Sequence, residues 1–140
     1  MVDLGVLPCR LDPGIAHCAA IGLLVLATDQ TMEQEFRRLV RQDGVALYEA
    51  RLWNDNDVTP AILRAMRERI APAAELILPG VKLDVVFVSC TSLRLSEIVA
   101  DVEAEIGIPV TSSDHAMAWH CLRLAGVEDV VPDAGRLFER

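Results

Sequence analysis

Four apolar runs punctuate the chain, and each gives way to a cluster of small polar residues. Ile21 to Ala27, Val45 to Trp53, Leu83 to Val88 and the short Ile108–Val110 segment are the runs. Where they are near-continuously apolar, they fit strands covered on both faces, as in a parallel sheet. Between them the apolar spacing changes to that of a helix. Met32, Phe36 and Leu39 share one face, behind a capping box of Thr31 and Gln34. Ile62, Met66 and Ile70 follow Thr59 as N-cap and Pro60 at the first helical position, with Pro79-Gly80 as the stop. Leu95, Ile98, Val102 and Ile106 make a third helix closed by Gly107, and Met117, Cys121 and Leu124 a fourth. Strand and helix alternate four times, which predicts a three-layer, flavodoxin-like α/β fold. Its core is an open parallel sheet of about four strands joined by right-handed crossovers. Residues 1–140 form one domain, with 1–19 irregular and 127–140 either a short strand or a packed tail.

Composition narrows the function. A chain of 140 residues can bury roughly two-thirds of the surface that its unfolded form exposes. A net charge of −8 opposes a general nucleic-acid role, because phosphates would approach against the field. The apolar stretch from Ile15 is too short to span a bilayer and carries His17. Asp3 and Asp12 around Arg10 do not resemble a signal peptide. The expectation is a cytoplasmic protein without nucleic-acid or membrane partners. Cys9, Cys18, Cys90 and Cys121 contain no C-x-x-C pair, so neither a structural zinc nor a disulfide scaffold is expected. No G-x-G-x-x-G follows the first strand and no P-loop is present, so no cofactor is expected.

Ligands of an open α/β sheet bind outside the carboxyl ends of its strands. Four polar clusters fall there: Thr28–Thr31, Asn54–Asp57, Cys90–Ser92 and Thr111–Asp114. Three of them are expected to lead straight into helices, whose N-terminal N–H groups favour a carboxylate or a thiolate. Cys90 is the candidate catalytic residue, at a strand end and a helix start where a thiol's pKa can fall. The competing reading is a buried cysteine that packs as a small hydrophobe. Thr28, Asp29, Gln30, Thr91, Ser92, Ser112 and Ser113 are candidate substrate-binding residues, Asp29 either orienting a donor or serving only as an acidic helix-start residue. His115, in the first turn of the last helix, is either an acid or base or a capping residue. Trp119 reads as core or interface.

Three segments resemble the aspartate/glutamate racemase superfamily, in its maleate isomerase, arylmalonate decarboxylase and ectoine-utilisation branch. Ile21 to Glu33 resembles the family's opening, and the Arg10–Pro13 lead-in is similar to the ectoine-utilisation members. Leu83 to Ser92 resembles the cysteine motif at a strand end, and Ile108 to Gly126 the closing segment. The resemblance implies two such units with the site between them, whereas this chain carries one unit of the racemase-type fold and one cysteine motif. It implies a cofactor-independent isomerase, racemase or decarboxylase of a small (di)carboxylic acid, acting through Cys90. A two-fold homodimer would then set two copies of Cys90 across the axis. Ser112-Ser113-Asp114 stands where the family usually has Ser-Ser-Asn, which implies weaker binding of an anion. The alternatives are a non-catalytic remnant or small-carboxylate-binding domain of the same family, and a flavodoxin-like module with an incidental cysteine.

Overall fold

The computed structural model describes residues 10–55 and 57–139. Cys9 and most of the irregular N-terminal segment therefore lie outside the described residues. The elements in order are β1 (Ala19–Leu26), α1 (Met32–Leu39), β2 (Val45–Leu52), α2 (Pro60–Arg67), α3 (Ile70–Glu75) and β3 (Val85–Ser89). A 3-10 turn (Leu95–Glu97), α4 (Val99–Ile106), β4 (Val110–Ser112), α5 (Ser113–Leu124) and a second 3-10 turn (Arg136–Glu139) follow. The four strands form one parallel sheet in the order β2-β1-β3-β4. The expected α/β fold is thus present, with β1 and β3 at its centre.

Alternation along the strands sorts the helices into two layers. Leu24, Val86, Val88 and Val110 enter the main apolar cluster with Ile70, Ala74, Val99 and Val102 from α3 and α4. Phe87, one residue out of step with Val86 and Val88, meets Phe36 of α1 on the opposite face, with ring centroids 5.2 Å apart. Thr111 is the register partner of Phe87 and holds His115 of α5 on that same face. Helices α1 and α5 therefore cover one side and α3 and α4 the other. Gly22 is in β1 because of its neighbours: a Cβ there would stand 2.8 Å from Leu83 Cδ1.

Three local details differ from the sequence expectation. The helix read through Ile62, Met66 and Ile70 is two helices, since Pro72 has no N–H for the Glu68 carbonyl and its ring would clash there. Helix α1 buries none of its residues fully, and Leu39 is 76 % exposed because the helix ends there. Thr31 makes no side-chain cap; Asp29 takes that role. Two other terminators act as read. Thr59 Oγ1 accepts from the Ile62 N–H at 3.3 Å, and Gly107 closes α4 with φ of 71°, a left-handed conformation that suits glycine. Among the described residues the C-terminal segment forms no strand and packs as a tail.

Candidate functional site

All four strands end at one edge, so Leu26, Leu52, Ser89 and Ser112 lead their following loops to the same side of the sheet. The polar clusters gather there in two groups, one on each side of Cys90.

On the β1 and β2 side, the Thr28 N–H donates to Asn54 Oδ1 at 3.3 Å and Asn54 Nδ2 donates to Thr28 Oγ1 at 3.1 Å. Asp29 Oδ1 accepts from the Thr31 and Met32 N–H groups at 2.8 and 2.9 Å, closing the first turn of α1. Its other oxygen, Oδ2, lies 3.5 Å from Ser89 Oγ, the residue before Cys90. Asp29 thus orients other groups, as a carboxylate must, while Gln30 beside it is exposed. The backbone N–H of Met32, then that of Thr31, holds the Asp29 carboxyl below its ordinary value of 3.8. Because the folded value is the lower one, this contribution to stability is complete above the unfolded pKa. It is lost as pH falls through the folded value. An Asp29→Asn variant keeps an acceptor oxygen and cannot titrate. Its unfolding free energy should therefore fall less steeply than that of the native chain between about pH 5 and pH 2. Chemical denaturation across that range checks this; superimposable pH profiles would contradict it.

On the β3 and β4 side lies a cleft of about 390 Å³. Thr91, Arg94, Ser112 and His115 line one part of it, and Val131, Ala134 and Phe138 of the C-terminal segment close another. Ser112 is 1 % exposed, Ser113 half-buried as the first residue of α5, and Thr91 and Ser92 are exposed. Ser92 and Ser113 do not line the cleft. Both ring nitrogens of His115 are engaged. Its Nε2–H donates to the Ala134 carbonyl at 2.7 Å, and Nδ1 lies 3.0 Å from the Thr111 hydroxyl. The ring also packs on Phe138 with centroids 4.8 Å apart. His115 is a latch for the tail.

Cys90 sits at the carboxyl end of β3, as expected, but its surroundings differ from the expectation in two respects. The loop after it does not lead straight into a helix: α4 begins only at Val99, after a bend and the 3-10 turn. The alternation that sends Ser89 toward Asp29 also sends Cys90 to the opposite face. There it is 7 % exposed and belongs to the cluster that includes Leu52, Met66, Leu93 and Leu95. Its side chain does not line the cleft, although Thr91 and Leu93 of the same loop do. Cys18 and Cys121 are exposed free thiols, and no group of His, Cys, Asp or Glu among the described residues has the arrangement of a metal site. No helix among the described residues is long and apolar enough to cross a membrane. Trp119 is half-buried against the Arg123 guanidinium, 5.5 Å from the ring centroid.

Sequence reasoning missed Arg94 and the tail residues Val131, Ala134 and Phe138. Arg94 belongs to the cysteine loop, but nothing in the local pattern marks it as facing a cleft. The tail carries no periodic signal at all.

A parallel four-stranded α/β unit with a cysteine at the end of a central strand fits the aspartate/glutamate racemase superfamily that the sequence resembles. Within it the assignment is specific. A family model described as arylmalonate decarboxylase matches residues 17–138, and the chain belongs to that family. It is similar to a crystal structure of arylmalonate decarboxylase, with 27 % sequence identity and a TM-score of 0.61 over 87 % of this chain. The chain spans 52 % of that protein's length. No curated protein matches it.

Proposed function

We propose that this protein is a cofactor-independent decarboxylase or isomerase of a small carboxylic acid, with Cys90 as the residue that handles the proton. The observation that carries the reading is the position of Cys90, at the carboxyl end of a central strand in a chain of the arylmalonate decarboxylase family. In the decarboxylase form, the Cα–carboxylate bond of a malonate breaks and carbon dioxide leaves. The bonding electrons remain on an enediolate, and the Cys90 S–H gives its proton to Cα. Water returns a proton to the thiolate, so each turnover releases one carbon dioxide and takes up one proton. Side-chain donors at the same edge would hold the second carboxylate as charge develops: the Thr91, Ser92, Ser112 and Ser113 hydroxyls on one side, the Thr28 hydroxyl and the Gln30 amide on the other. Asp29 would keep Ser89 and the start of α1 in place.

One unit supplies one wall of such a site, and a two-fold homodimer would supply the other. The expected result in sedimentation velocity is a dimer whose dissociation on dilution removes activity in proportion. A monomer at every concentration, with full activity, would contradict the shared site.

The burial of Cys90 in the apolar cluster favours a second reading, a carboxylate-binding domain without turnover. Incubation with malonate, maleate and aspartate derivatives separates the two. Carbon dioxide or an isomerised product that disappears with Cys90→Ala supports the enzyme, and binding without product supports the domain.

A further inference from the structure

Leu93 and Arg94 line a second cleft as well, of about 240 Å³, between α2 and the loop that follows β3. Its α2 wall is a single stripe: Pro60, Leu63, Arg64 and Arg67 recur at the i, i+3, i+4, i+7 spacing that puts them on one helix face. Such a stripe is ordinarily apolar throughout, yet half of this one is guanidinium. Leu63 and Ile98 are partly buried against the main core and Leu93 is fully buried, so the floor is apolar. Arg64, Arg67 and Arg94 stand around it. Arg67 pairs with Asp101 at 2.9 Å and Arg94 with Glu97 at 3.4 Å. These pairs are largely exposed and of the kind that a ligand exchanges at little cost. The Arg64 guanidinium has no hydrogen-bond or ion-pair partner among the described residues.

Glu97 lines the same cleft, so three guanidiniums face one carboxylate around an apolar floor, a locally positive patch on a chain of net charge −8. We propose that this cleft binds a small organic anion. Its apolar tail lies on Leu63, Leu93 and Ile98, and a carboxylate or phosphate headgroup meets Arg64 and its neighbours through the paired donors that guanidinium presents. The volume falls below the usual range for cofactor sites, about 300–1,000 Å³, and suits a headgroup with a short chain. The cleft shares Leu93 and Arg94 with the one beside Thr91, but the proposal does not depend on the chemistry at Cys90.

The test is a methyl NMR titration of the full chain with octanoate, octyl phosphate and 1-octanol as probes. Saturable shifts of the Leu63 and Ile98 methyls with either anion are expected, and the tighter anion identifies the headgroup. An Arg64→Gln, Arg67→Gln variant should weaken that binding by about tenfold or more, as should high salt. Both changes lie on an exposed helix face, so the fold should persist, and the methyl spectrum of the unliganded variant reports whether it does. The proposal is overturned if octanol binds as tightly as the anions, or if the variant binds within about twofold of the native chain. It is also overturned if the shifts are confined to Ala118 and Ala134 in the other cleft.

Discussion

Replacing Cys90 by serine is expected to lower the rate of carboxylate turnover by about 10²–10⁴-fold, the usual contribution of a positioned general acid. An alcohol is a far weaker acid than a thiol, so it does not supply the proton that the enediolate needs on the same time scale. The change is nearly isosteric, but it puts a hydroxyl into an apolar cluster that includes Leu52, Met66 and Leu93. A buried hydroxyl without a partner costs about 1–3 kcal/mol, and part of any loss could come from that source. Cys90→Ala separates the effects, because it removes the thiol without adding a polar group. Both variants should lose activity; alanine leaves a small cavity and serine an unpaired hydroxyl, and urea denaturation of each measures its stability loss separately. Native-like activity in either would remove Cys90 from the chemistry.

Replacing Glu103 by alanine should destabilise the protein by about 2–5 kcal/mol, the largest effect expected outside the apolar core. Glu103 is 4 % exposed on α4, and its two oxygens serve different elements. Oε1 accepts from the Val110 N–H at 2.9 Å and Oε2 from the Arg136 N–H at 3.0 Å. One carboxylate therefore ties α4 to the start of β4 and to the C-terminal turn. Alanine leaves the buried Val110 N–H without a partner, and a buried orphan donor retains its full desolvation penalty. Glu103→Gln keeps one acceptor oxygen and turns a donor toward one of the two N–H groups, so its loss should be intermediate. The tail bears Val131, Ala134 and Phe138, so the alanine variant should also open the cleft beside Thr91 and Ser112. Urea denaturation gives the first effect, and limited proteolysis within residues 127–139 gives the second. A loss below about 0.5 kcal/mol with an unchanged cleavage rate would contradict this role for Glu103.

The sheet was legible because most of its strands are apolar runs and its helices carry strong boundary signals, as at the start with Pro60 and the stop with Gly107. The face to which Cys90 turns was not. In a strand covered on both sides, Val86 and Phe87 are equally apolar, so periodicity cannot say which layer either one meets. Only the register and the contact of Phe36 with Phe87 fix the phase, and that phase carries Cys90 into the core and Ser89 toward Asp29. The cap of α1 was misread for a related reason. Asp29 and Thr31 both offer a cap oxygen within three residues, and the choice depends on how the chain leaves β1. The tail was illegible because its partners, Glu103 and His115, lie far away in sequence. The helix break before Pro72 was available from the sequence, since proline's missing donor acts one turn upstream.

The central claim is that a proton passes from Cys90 to the α-carbon of a small carboxylic acid. A prochiral 2-aryl-2-methylmalonate, incubated in deuterium oxide with the native chain and with Cys90→Ala, tests it most directly. Release of carbon dioxide should accompany a monocarboxylate with one deuterium at Cα and one enantiomer in excess, and both should vanish with Cys90→Ala. Carbon dioxide release no faster than in buffer, or equal release and equal enantiomeric excess from the alanine variant, would contradict it.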